Sequence, residues 1–174
     1  MNEILFQKNM SRIRQDDREG LRQIYEDYCP VIYSVIWEVL RSREDAEDVT
    51  SDFFIRLWDI ADTYRPGKGH RAWMITIAHN MAIDYLRRRK REIPTEDAPY
   101  GVFPGQASDE DALCHKVSLE QAMMTLKPEE RQIVNLKIMG ELTFREIAAV
   151  IKKPQGTVAW CYRRAIQKLR EVQL

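Results

Sequence analysis

The chain has 174 residues, 44% of them hydrophobic and 31% charged, enough for one medium or two small domains with a core and a heavily solvated surface. No run approaches the ~18 apolar residues of a membrane span, and the amino terminus lacks a charged-then-apolar leader pattern, so a soluble cytoplasmic protein without membrane insertion is expected. The 27 cations balance 27 anions, but the balance is a sum of opposed blocks: five consecutive cations, Arg87 to Arg91, precede twenty residues without Lys or Arg.

In chain order, Leu21, Ile24, Tyr25, Tyr28, Ile32, Val35, Ile36, Val39 and Leu40 recur at helical steps. Pro30 falls inside that pattern and predicts a break or kink between two helices, since proline removes a donor and crowds the preceding turn. Ser42 with Asp45 three residues on resembles a capping box and opens a helix through "EDAEDVTSDFFIRLWDIADTY". "RPGKG" ends it. A further helix follows from about His70 to Arg91, with Trp73, Ile77, Met81, Leu86 and neighbours available to a core. Residues 1–91 thus form one all-helical domain. "EIPTEDAPYGVFPGQASDED", with three prolines, two glycines and no periodicity, is a flexible acidic linker over 92–112.

A second helical domain is expected over 113–174. Thr143 and Glu146 form a capping box, and Leu142 with Ile147 a hydrophobic staple, so a short helix starts at Thr143 and ends near Ile151. Pro154 suits the first turn of the next helix, which runs to about Val172. Two helices joined this tightly make a helix-turn-helix. Val158, Tyr162, Ala165, Ile166 and Leu169 form the inward stripe of the last helix; Gln155, Thr157, Trp160, Arg163, Arg164 and Gln167 lie on the other side. Such an outward face suits the major groove of duplex DNA. The cysteines Cys29, Cys114 and Cys161 have no CxxC spacing and read as buried thiols, and no cofactor or metal is expected.

The ordered motifs "LRQIYEDYCPVIYSVIWEVL", "DAEDVTSDFFIRLWD", "AWMITIAHNMAIDYLRRRKR" and "LKPEERQIVNLKIMGELTFREIAAVIKKPQGTVAWCYRRAIQKLR" together resemble the extracytoplasmic-function (ECF) sigma factors, of the sigma-70 family of bacterial RNA polymerase. The resemblance implies an all-α, non-enzymatic subunit of two small helical domains, sigma domain 2 and sigma domain 4, that directs promoter recognition, DNA melting and transcription initiation. It places Asp45, Glu47, Asp48, Asp52, Phe53, Leu57 and Trp58 against the beta-prime coiled coil of the polymerase core. It gives Trp73, Asn80, Asp84, Tyr85, Arg87 and Arg88 to the minus-ten element, and the helix-turn-helix to the minus-thirty-five element. It sends the linker toward the RNA-exit region of the beta and beta-prime core, and adds an anti-sigma protein as a further partner. Two departures stand out: Ala159, Trp160 and Cys161 replace a usual basic residue, Ser and Arg, and Ser51 stands where Gln is common.

These assignments have physical content. A strand exposed by melting is held by cations and by stacking or base-reading groups, which Arg87 to Arg91, Trp73, Tyr85 and Asn80 supply; His79 is expected to face solvent or phosphate. Asp45, Asp48 and Asp52 fall on one helical face, which suits either a divalent-ion site or, beside Phe53, Phe54, Leu57 and Trp58, an interface with a basic partner. A freestanding helix-turn-helix regulator and a metal-dependent nucleic-acid enzyme are the rival readings.

Overall fold

A computed structural model describes residues 1–67, 69–92 and 121–171; the acidic linker reading falls outside them. The chain divides into two compact units, Met1–Glu96 and Asp97–Leu174, each taken by itself below. Among the described residues all regular structure is helical.

The first unit is built from α1 (Glu3–Ile13), α2 (Arg18–Leu40), α3 (Arg43–Asp59), a 3-10 turn (Ala61–Thr63) and α4 (His70–Glu92). Each early helix start is specified by a side chain that satisfies an orphan amide. Asn2 accepts from the Leu5 amide, Asp17 from the Glu19 amide and Ser42 from the Asp45 amide. The α1–α2 turn needs Gly20, where an added Cβ would come within 2.5 Å of the Asn9 carbonyl oxygen. That closeness lets Phe6, Met10 and Ile13 bury their side chains against α2. Arg41 enters the left-handed region at φ 54° and closes α2.

The expected break at Pro30 does not occur, because α2 continues through it as one 23-residue helix. Pro30 is exposed, while Ile24, Tyr28, Ile32, Val35, Ile36 and Leu40 are buried on both sides of it. Burial of that stripe against α1, α3 and α4 outweighs one missing backbone bond. The helix from Ser42 is shorter than expected: Ile60 leaves helical geometry (φ −96°, ψ 9°), and a 3-10 turn leads to Tyr64, 2% exposed. In α4 the inward residues are Met74, Ile75, Ala78 and Ala82, one position out of phase with the expected set; Trp73, Ile77, Met81 and Leu86 are half-buried. Apolar residues fill adjacent positions 72–75, 77 and 78 of α4, so its periodicity selects no single face.

A part-buried polar knot joins α1 to the start of α4. His70 Nδ1 lies 2.6 Å from Glu3 Oε2 and its Nε2 lies 2.5 Å from the Tyr28 hydroxyl, while the Tyr64 hydroxyl donates to Glu3. Phe6 stacks on the imidazole at 4.6 Å between centroids. Burial raises the Glu3 carboxyl, but the bonds from Tyr64, His70 and Gln7 outweigh it and hold the group at about 2.

In the second unit residues 121–124 are helical, followed by α5 (Pro128–Ile138), α6 (Phe144–Ile151) and α7 (Gln155–Glu171). Leu126, Val134 and Ala165 centre its core, with Met123, Tyr162 and Leu169 packed around them. The capping box at Thr143 is present: the Thr143 amide donates to Glu146 Oε2 at 2.8 Å, and the Glu146 amide donates back to Thr143 Oγ1 at 3.3 Å. Leu142 and Ile147 are buried as a staple requires. Lys152, at φ 56°, turns the chain, and the Lys153 amide bonds the Ala148 carbonyl at 3.0 Å. Pro154 sits just before α7 rather than in its first turn, its carbonyl accepting from the Val158 amide at 3.1 Å.

Candidate functional surfaces

α7 sorts cleanly by burial. Val158, Cys161 and Ala165 face inward; Gln155, Thr157, Trp160, Arg163 and Gln167 are exposed. α6 and the three-residue turn at Lys152 hold this helix at its leading end, with Lys153 bonded to Glu129 at 2.8 Å. Arg164 is the exception among the expected DNA-facing residues. Its Nε lies 2.5 Å from Glu130 Oε1, and its guanidinium carbon sits 4.5 Å from the Trp160 ring centre. Lys168 reaches the other oxygen of the same carboxylate at 2.8 Å. Burial raises the Glu130 carboxyl, yet Lys168, the Lys127 amide and Arg164 together hold it at about 2. Sequence reasoning missed Glu130, although a carboxylate at the third position of a helix that starts Lys-Pro-Glu-Glu reads first as a cap, and it does accept from the Lys127 amide at 2.9 Å.

The cationic end of α4 is divided. Asn80, Asp84, Arg87 and Arg88 are exposed, with Arg87 3.4 Å from Asp84 in a solvated pair. Tyr85 and Arg89 turn instead to α3: the Tyr85 hydroxyl donates to Asp45 Oδ1 at 2.6 Å, and Arg89 bonds the other oxygen. That bond to Asp45, with partial burial, raises the Tyr85 phenol. Trp73 packs half-buried on Tyr64, ring centres 5.0 Å apart, so part of its surface is taken up by the fold. His79 is 7% exposed and does not face solvent, because it lies on the buried side of α4 next to Ala78 and Ala82.

On α3 the expected ridge resolves into two faces. Phe53 and Leu57 are 0% and 1% exposed and belong to the core, and Asp45 is committed to α4. The outer face carries Asp48, Ser51, Asp52 and Ile55, with Trp58 half-buried beside them and Glu47 paired with Arg43 at 2.9 Å. Ile55 is 64% exposed and was not singled out from sequence. Its signal was the helical phase, three residues after Asp52 and seven after Asp48. Tyr25 of α2, 48% exposed, leans on Phe54 of α3 at 4.7 Å between centroids. Among the described residues no group of three His, Cys, Asp or Glu side chains is arranged to hold a metal ion. Nor is any described helix long and apolar enough to cross a membrane.

An acid-and-aliphatic face, a cationic helix end and a helix-turn-helix with an exposed polar face are thus carried by two helical units. Residues 24–92 match the family model described as Sigma-70 region 2, and residues 122–171 match Sigma-70, region 4. The chain is 24% identical over 181 residues to the ECF RNA polymerase sigma factor SigW of Bacillus subtilis, covering 97% of each protein. It is 27% identical over 158 residues to the ECF RNA polymerase sigma factor RpoE of Cereibacter sphaeroides, covering 89% of this chain and 87% of that one. Its fold is that of the sigma factor RpoE of Bartonella quintana, solved with the anti-sigma factor NepR, at TM-score 0.70 and 23% identity over 87% of this chain and 94% of that one. CnrH, solved with the cytosolic domain of CnrY, matches at TM-score 0.63 and 18% identity over 97% and 96% of the two chains. The chain belongs to the sigma-70 family, in its ECF group.

Proposed function

We propose that this ECF sigma factor divides initiation among the three surfaces above. The acid-and-Ile55 face of α3 docks on the polymerase core, the exposed polar and cationic side of α4 takes the melted minus-ten element, and the outer face of α7 reads the minus-thirty-five element in the duplex. The observation that carries this reading is the presence, in one chain, of a region 2 unit and a region 4 unit that each expose a face able to meet DNA.

The chemistry supports each role. An exposed isoleucine ringed by Asp48 and Asp52 suits a partner helix with apolar and basic residues. Asn80 offers both donors and acceptors to an unpaired base, and Arg87 and Arg88 offer charge to phosphates on the same helix. Gln155, Thr157, Arg163 and Gln167 are exposed side chains that α7 can extend into a major groove. The factor acts without catalysing a reaction of its own, and it works in the cytoplasm, where the polymerase and the chromosome are. An anti-sigma protein that covers these surfaces is a proposed partner, in keeping with the similar fold of the Bartonella quintana sigma factor solved with the anti-sigma factor NepR. A freestanding regulator has no use for a region 2 unit and is not favoured.

Transcription reconstituted from purified core polymerase, this chain and its own genomic DNA tests the reading. Initiation from discrete start sites that vanish without the chain is expected. Absence of any sigma-dependent transcript would overturn it.

A further inference from the structure

On α7 Trp160 and Arg164 stand one helical turn apart, and the guanidinium lies over the exposed indole, 4.5 Å from its centre. The other contact of Arg164 comes from outside the helix, since its Nε bonds Glu130 of α5 at 2.5 Å. Glu130 cannot wander. Its side chain is 1% exposed, and its second oxygen takes both Lys168 at 2.8 Å and the Lys127 amide at 2.9 Å. Two neighbouring cations more than neutralise the carboxylate, so the cluster does not repel a phosphate backbone. Arg164 is therefore gripped by a fixed acid on one edge and by an aromatic face. Its side chain is 35% exposed, and Nε is its one nitrogen with an acceptor among the described residues.

What is left over is the fork formed by Nη1 and Nη2. Two parallel N–H donors match the O6 and N7 acceptors that guanine presents in the major groove, the commonest specific arginine contact. A free arginine loses rotamer freedom on binding, whereas one already held in place loses less. We propose that Glu130 and Trp160 are positioning residues that aim Arg164 at one guanine of the upstream promoter element. Base preference at that position then depends on the Trp160 indole and on a carboxylate outside the recognition helix. The inference rests on the sigma-factor reading and deepens it.

The test uses the full chain with core polymerase and a pool of duplexes randomised through the upstream element. Arg164→Lys, which keeps the charge but not the fork, identifies the base pair read by this side chain. The expected base is guanine, and 7-deazaguanine at that position is expected to weaken selection by roughly tenfold. Trp160→Ser, a change at an exposed site, is expected to lower preference for the same guanine by roughly tenfold relative to the preferences at the other randomised positions, and Trp160→Phe to restore most of it. Glu130→Gln, with its melting followed in parallel, is expected to lose preference at that base pair alone. A Trp160→Ser chain with undiminished guanine preference, a loss spread evenly over all sequences, or a base other than guanine at the Arg164 position each overturns the inference while sigma activity stands. A wild-type chain that initiates nowhere overturns the sigma-factor reading and takes this inference with it.

Discussion

Glu130 shows how one side chain can serve two ends. As the third residue of α5 it caps that helix, and as the counterion of Arg164 and Lys168 it ties α5 to α7. Its carboxyl is held at about 2 in the fold against 4.5 for an ordinary glutamate. A depressed carboxyl contributes stability that is complete above about pH 4.5 and is lost as pH falls toward 2. Acid titration of the wild-type chain and Glu130→Ala, followed by thermal melting, should show the two converging below that window. At neutral pH the variant should be less stable by about 1–3 kcal/mol, since two half-exposed cations lose a charged partner. A constant gap across the whole pH range would contradict the ion-pair account. At Trp73 and Tyr85, by contrast, side chains expected at a DNA strand prove to be partly used in packing and in a bond to Asp45.

Among the elements, α2 carries a defect that its packing overrides. Pro30 leaves the Glu26 carbonyl without its helical donor, yet the stripe from Ile24 to Leu40 stays buried. Pro30→Ala restores that donor at an exposed site, and the melting temperature should rise in keeping with about 1–2 kcal/mol after the greater freedom of the unfolded chain is allowed for. A fall would mean that the proline shape is itself required. For α3 the informative substitution is Ile55→Glu, which changes the exposed face and leaves Phe53 and Leu57 in place. Core-polymerase affinity should drop on the order of tenfold or more with melting unchanged, because an apolar anchor at an interface is replaced by a charge. Retained affinity would move the docking surface elsewhere.

At the level of the whole molecule, the proposal separates recognition of duplex from capture of a melted strand. Arg87→Ala combined with Arg88→Ala removes two exposed cations from α4 and leaves the residues of α7 unaltered. With reconstituted polymerase it should reduce open-complex formation by roughly tenfold and lessen its salt dependence by about two phosphate contacts, while duplex recognition upstream is preserved. Permanganate footprinting against filter binding, across a salt series, distinguishes the two. Equal losses in both would place these arginines in general DNA affinity.

By itself the sequence determined the local structure. The Thr143 capping box with its staple, the tight turn before α7 and the inward stripe of Val158 and Ala165 follow from neighbours three or four residues apart, where helical geometry alone dictates the contact. The family could be read there too, because its motifs are contiguous. Tertiary structure decided whatever depends on residues distant in the chain: that α2 continues through Pro30 as one helix, that α4 buries Met74 and Ala78 rather than Trp73 and Ile77, that Phe53 and Leu57 are core while Ile55 is surface, and that Asp45 turns to Tyr85 and Arg89. Glu130 meeting Arg164 belongs to the same class, with 34 residues between the partners. Periodicity says that a helix has an apolar side, but only the helices packed against it choose which side is covered and which charges find each other, since burial and ion pairing are energies of the assembled fold.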